Sequence, residues 1–99
     1  MPDSITVERL RQMIPGAKII DIRENYRFNL GCIPTAVNIP MTFLLMNPQK
    51  YLNKNPTYYI YCESGSKSKK TCIDLKKQGY QVIDVIGGYD EYKKIKNTY

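Results

Sequence analysis

The run Thr57-Tyr58-Tyr59-Ile60-Tyr61 constrains this chain more than any other segment. Five β-formers without a charge predict a strand covered on both faces, and such a strand belongs at the centre of a sheet packed between layers. The strand stops at Cys62. A short Glu63-Ser64-Gly65-Ser66 stretch breaks it, and a basic helix is expected to follow to about Gln78. Gly79 stands where a left-handed helix end belongs.

The other signals alternate between the same two periods. Val7, Leu10 and Ile14 predict a short helix over residues 6–14, capped by Thr6 or Ser4 and stopped by Pro15-Gly16. Residues 17–22, 36–39 and 81–85 read as strands. Residues 23–36 read as a loop with one helical turn near Tyr26. Met41 to Met46 reads as a helix and Pro48 to Leu52 as a further turn. A last helix is expected from Tyr89 to about Lys96, after Gly87-Gly88. Helices alternating with apolar strands predict an α/β domain with a mostly parallel sheet. Ninety-nine residues allow one small domain, spanning 1–99. The chain has no Trp, 2 Phe and 9 Tyr, so its core must be built from Ile, Leu, Val and the bodies of tyrosines. Ser68, Cys72, Leu75 and Gly79 share the helix face expected to meet the sheet. Tyr58 and Tyr59 point to opposite faces of their strand and are expected to pack.

The chain has no histidine. That excludes a Ser-His-Asp triad, a Cys-His pair, a histidine base and most catalytic zinc sites. No metal or organic cofactor is expected. Cys32, Cys62 and Cys72 form no C-x-x-C pair and no disulfide framework, so reduced thiols and a cytoplasmic location are expected. The first residues lack the basic and apolar regions of a signal peptide, and no apolar run is long enough to span a membrane. The formal charge of +6 lies mostly in residues 51–99 and suits an anionic ligand or partner, although a solvated basic surface is the plainer reading. No nucleic-acid recognition motif is present, and neither nucleic acid nor membrane is expected as a partner.

Chemistry is concentrated at Cys62. The carboxyl end of a strand, followed by a helix N-terminus, is where open α/β sheets bind ligands. The first N–H groups of a helix lack acceptors and carry partial positive charge. Ser64, Gly65 and Ser66 are small enough for the backbone to curl around an anion. Lys67, Lys69 and Lys70 add charge nearby. A cysteine in such a setting becomes a nucleophile without imidazole, its pKa falling from ~8.5 to roughly 3.5–7.5 in known cases. A buried small residue beside an ordinary turn is the plainer alternative. A phosphatase would need an arginine six positions after the cysteine to grip phosphate. Ser68 stands there, and no arginine follows Arg27. Sulfur transfer needs only a ring of amides around one sulfur anion.

Cys62-Glu63-Ser64-Gly65-Ser66-Lys67-Ser68 resembles the C-x-S-G-x-R-S loop of single-domain rhodaneses. Ile19-Ile20-Asp21-Ile22-Arg23-Glu24 resembles that family's L-[IL]-D-V-R-E strand. Residues 31–40 resemble G-H-I-P-G-A-x-N-I-P, and Val85 to Tyr92 resembles its late G-G-x-x-x-W element. Ordered blocks over residues 4–96 carry the likeness. It implies a three-layer α/β/α domain with about five mostly parallel strands. It implies a sulfurtransferase that moves a sulfane sulfur from thiosulfate or a persulfide to a thiol or cyanide through a Cys62 persulfide. By the same resemblance, the backbone N–H groups of Glu63, Ser64, Gly65, Ser66 and Lys67 form the substrate cradle. Asp21 and Arg23 organise the end of the first strand. A small anionic sulfur donor and a thiol acceptor are the implied partners, with a protein sulfur-relay partner also open. A non-catalytic rhodanese-like binding module remains the alternative, and a cysteine-dependent phosphatase or arsenate reductase a more distant one. Lys67 replaces the usual arginine. Cys32 replaces a histidine and is expected to be buried. Tyr92 replaces a tryptophan as a core anchor, and Cys72 is expected in the core.

Overall fold

A computed structural model describes residues 2–96 of the chain. Elements alternate along it as β1 (Ser4–Ile5), α1 (Val7–Arg11), β2 (Lys18–Asp21), α2 (Asn25–Leu30), β3 (Val37–Asn38), α3 (Met41–Met46), α4 (Pro48–Tyr51), β4 (Thr57–Tyr61), α5 (Ser66–Lys77), β5 (Gln81–Val85) and α6 (Gly88–Lys96). The described strands form one five-stranded sheet in the order β1-β5-β4-β2-β3, parallel at each pairing. The charge-free β4 is therefore central. Its residues Tyr58 to Tyr61 lie opposite Lys18 to Asp21 on one side, and Thr57 to Ile60 opposite Gln81 to Asp84 on the other.

Alternation along the strands feeds two cores. Ile20, Tyr58, Ile60 and Val82 face Leu44, Leu52, Cys72 and Leu75. Ile19, Tyr61 and Val85 face Val7, Leu10 and Tyr92, with Tyr59 packed at the margin. The first cluster joins α3, α4 and α5 to the sheet, and the second joins α1 and α6. Tyr58 and Tyr59 thus pack on opposite faces, and Tyr92 anchors the second core, as expected from the sequence. Cys72 and Ser68 are buried on the sheet-facing side of α5. That helix ends with the N–H groups of Gly79 and Tyr80 bonded back to the carbonyls of Lys76 and Leu75, which closes its last turn around a left-handed Gly79.

Four local expectations are corrected. The first helix ends at Arg11, not near residue 14, and the chain continues through turns to Ala17. Thr6 caps it, its Oγ1 accepting the Arg9 N–H. Ser4, the other candidate cap, instead belongs to β1, a strand that no periodicity announced and that exists only as an edge on β5. Residues 25–30 form a six-residue helix instead of a single turn, yet none of its side chains is buried, so no apolar stripe marked it. Cys32 is half-buried, because it stands between the exposed Leu30 and Ile33, and Ile33 takes the core position.

Candidate active site

Cys62 follows the last residue of β4 and is 4% exposed, so its sulfur lies at the floor of a depression. Two backbone amides point at it. The Gly65 N–H donates to Sγ over 3.1 Å and the Ser68 N–H over 3.3 Å. Gly65 caps α5 with φ +104°, a conformation that side chains rarely adopt. Ser68 is the third residue of that helix, so its N–H is one of the groups that lack a helical acceptor. Those of Ser66 and Lys67 lack one for the same reason.

The helix on the other side of the loop turns the peptides the right way. The N–H groups of Tyr89 and Asp90, in the first turn of α6, bond to the carbonyls of Cys62 and Glu63, each over 2.9 Å. In a trans peptide the carbonyl and the next N–H point in opposite directions. Anchoring those carbonyls to α6 therefore directs the Glu63 and Ser64 amides away from it. The approach is close: a Cβ added at Gly88 would lie 2.3 Å from the Cys62 carbonyl oxygen, so only glycine fits there.

The depression is a cavity of about 280 Å³ lined by Cys62, Glu63, Ser64, Ser66 and Lys67, with Arg23, Arg27, Tyr26 and Met41 across from them. Gly65 and Ser68 touch the sulfur from below. Of the residues singled out in the sequence, the loop from Cys62 to Lys67 and Arg23 meet at this one site. Asp21 does not line the cavity. It is fully buried behind it.

Asp21 and Arg23 form the brace of the site. The Arg23 guanidinium donates through Nη2 to Asp21 Oδ2 over 2.7 Å and to the Gly31 carbonyl over 2.7 Å, and its Nε reaches both carboxylate oxygens over 3.1 Å. Tyr61 donates to Asp21 Oδ2 over 2.6 Å and accepts the Ile33 N–H over 3.0 Å. The guanidinium also lies 4.2 Å over the Tyr89 ring. Burial opposes the charge on Arg23, but Asp21, then Tyr61 and Glu63, hold its pKa above the ordinary arginine value. Burial and the Asp21 hydrogen bond push the Tyr61 phenol upward in turn. Glu63 Oε1 lies 3.5 Å from Arg23 Nη1 and 3.7 Å from Arg27 Nε, so its carboxylate bridges two arginines.

Arg27, the Ser68 amide and Asp84 escaped the sequence. Arg27 enters the cavity wall from α2, while Arg23 comes from the segment before that helix; no local spacing in the sequence signalled that the two would meet. Ser68 extends the cradle one residue past the expected range. Its Oγ lies 3.4 Å from Cys62 Sγ and 2.5 Å from Asp84 Oδ1 on β5. Burial raises the Asp84 carboxyl pKa, against the lowering effects of Ser68 and Lys69. The serine that stands where a phosphatase needs arginine is thus bonded to a carboxylate, with the Gly65 carbonyl as a second acceptor at 3.2 Å.

The other two thiols do not line this cavity. Burial, then the nearby Asp84, pushes Cys72 up to about 12, which leaves it a core thiol. Burial and then Asp21 raise Cys32, with Arg23 opposing.

Comparison with known proteins gives a consistent picture. The pattern of the Rhodanese-like domain family matches residues 6–95. A sulfurtransferase of Allochromatium vinosum is 32% identical over 92 residues, covering 89% of this chain and 85% of that protein. YrkF of Bacillus subtilis, provisionally named a sulfur carrier protein, is 32% identical over 92 residues, and the chain spans only 49% of its length. The structure is similar to that of a rhodanese-like domain protein from Staphylococcus aureus, with a TM-score of 0.83 at 32% identity, covering 93% of this chain and 91% of that one.

Proposed function

The chain belongs to the rhodanese-like domain family, and on that premise we propose that it is a sulfurtransferase carrying a sulfane sulfur on Cys62. Residues 1–99 make one such domain, working in the cytoplasm without a metal or organic cofactor. The Cys62 thiolate attacks the outer sulfur of thiosulfate. A new S–S bond forms, the donor S–S bond breaks, and sulfite leaves with the bonding pair. The persulfide then sits as an anion among the amides of Gly65 and Ser68, with those of Ser66 and Lys67 free to receive it. An acceptor thiolate or cyanide attacks the outer sulfur, and Cys62 returns as thiolate.

One observation carries this reading: Cys62 Sγ accepts two backbone N–H groups at the floor of a cavity walled by Arg23, Arg27 and Lys67. Fixed amide dipoles at a water-poor site stabilise charge on sulfur without reorganising. The cationic wall suits an anionic donor. Asp21 and Arg23 act as support, holding the wall in place. The name of YrkF accords with delivery of the sulfur to a protein partner.

Intact mass after incubation with thiosulfate tests the proposal. A gain of one sulfur atom is expected, lost in Cys62→Ala and removed by cyanide. No gain in the wild type overturns it and leaves the binding module as the better reading.

A further inference from the structure

The site has a second side. Behind Ser68, whose side chain is fully buried, lies another cavity of about 330 Å³, lined by Asp84, Lys69, Cys72, Ile73, Lys76 and Ser4 of β1. Cys62 lines the first cavity and Asp84 the second. Ser68 touches both, 3.4 Å from Sγ and 2.5 Å from Oδ1. A chain without histidine still has to dispose of the thiol proton. If that proton left through the front cavity, it would leave through the space the donor occupies.

We propose that Ser68 and Asp84 form a proton relay, carrying the Cys62 proton from the donor cavity to the cavity behind it. This rests on the reading of Cys62 as the nucleophile. A serine hydroxyl has one proton to give and lone pairs to receive. While Asp84 is ionised, the Ser68 proton turns to it, because an O–H···O⁻ bond of 2.5–2.7 Å is the charge-assisted kind. The Ser68 oxygen then faces Sγ and accepts the thiol S–H. Two transfers follow together: the thiol proton passes to Ser68 Oγ, and the Ser68 proton passes to Asp84. The products are a Cys62 thiolate, a Ser68 hydroxyl now donating to sulfur, and a neutral Asp84. No electrons change hands. Asp84 then releases its proton into the second cavity. Ser68 touches the reacting sulfur, whereas Asp84 acts through it as a positioning residue.

The surroundings suit this role. From α5, Lys69, Cys72, Lys76 and Lys77 line the cavity with Asp84; just before β1, Asp3 lies there, paired with Lys76. The neighbour of Asp84 on β4 is Ile60, which carries no charge. Around Cys62 stand Arg23, Arg27, Glu63 and Lys67. Burial raises the Asp84 carboxyl, which brings it closer to a thiol as a proton acceptor.

Alkylation of Cys62 by uncharged iodoacetamide, followed by mass spectrometry across pH, tests the relay without requiring sulfur transfer. Two sites sharing one proton titrate in two macroscopic steps. The wild-type rate should rise, level off while the single proton is shared, and rise again. Asp84→Asn keeps the shape and removes the acceptor, so a single rise is expected, with the rate through the level region climbing up to about tenfold above wild type, equivalent to one pH unit, because no second anion then opposes the thiolate. Ser68→Ala should give the same single rise. A single rise in the wild type, or two rises in both variants, overturns the relay. If either variant fails to fold, the wild-type profile and the other variant still decide. A two-step wild type that gains no sulfur from thiosulfate keeps the relay and refutes the sulfurtransferase reading; a single-step wild type that gains sulfur does the reverse.

Discussion

Replacing Tyr61 with phenylalanine removes one oxygen and leaves two buried groups short of a partner. Tyr61 is fully buried, and its hydroxyl joins the Asp21 carboxylate to the Ile33 N–H. Losing a hydrogen bond to a charged group costs about 1.5–3 kcal/mol, and an orphaned buried N–H costs about 1–3 kcal/mol. Asp21 keeps its bonds from Arg23, which moderates the first figure. The sum is about 3 kcal/mol, a large part of the roughly 5–15 kcal/mol that holds a domain together. With a urea m-value near 2 kcal/mol/M, the midpoint should fall by about 1.5 M. Far-UV circular dichroism in urea is the assay. A loss under about 1 kcal/mol would falsify the account, because it would mean that water satisfies Ile33. Alkaline pH supplies an internal control. The folded Tyr61 pKa is raised, so the native state keeps a proton that the unfolded chain releases above about pH 10. Wild-type stability should decline as pH rises through that region, and Tyr61→Phe should decline less.

Three further outcomes follow from the same network of contacts. Lys67→Ala should lower kcat/KM for thiosulfate about threefold or more at low salt, and less at high salt; a neutral organic trisulfide should be less affected, and equal losses would remove Lys67 from the donor's side. Thr35 is held at φ +73°, where a β-branched residue is strained by about 1–2 kcal/mol. Glycine loses about 0.4–1 kcal/mol through the unfolded chain, so Thr35→Gly should still gain about 0.5–1 kcal/mol in thermal unfolding; a lower Tm contradicts the strain. Asp84 has a raised carboxyl pKa, so the native state holds a proton that the unfolded chain has already released near pH 4. Wild-type stability should fall as pH rises through that window. Asp84→Asn should therefore have the higher urea midpoint at pH 7, and the gap should close in acid; a constant gap would show that the buried carboxyl titrates normally.

Much of the architecture could be read locally. β4 and β5 lie at the expected residues, and so does α3, because each is a compact run of one period. The loop at Cys62 was legible for a related reason: its small residues and the helix behind it are contiguous. β1 was not legible, since two residues carry no period and their hydrogen bonds come from β5. Neither was α2, whose residues bury nothing. The Ser68–Asp84 pair was hidden too. The two are sixteen residues apart, and a carboxylate in a strand reads like any other polar residue.

Unaided, the order of residues settled the layering of the domain, the central strand and the thiol at its end, since local periodicity and glycine placement act over a few neighbours. Folding alone decided which groups surround that thiol. The amides of Gly65 and Ser68 converge on sulfur because the start of α5, capped by a left-handed Gly65, packs against the end of β4. Arg23 is pinned because Asp21, Tyr61 and Gly31 come from separate segments. Asp84 reaches Ser68 because β5 pairs with β4 in one particular register. Hydrogen bonds depend on distances of a few ångströms, and between segments far apart along the chain only the packed structure sets them.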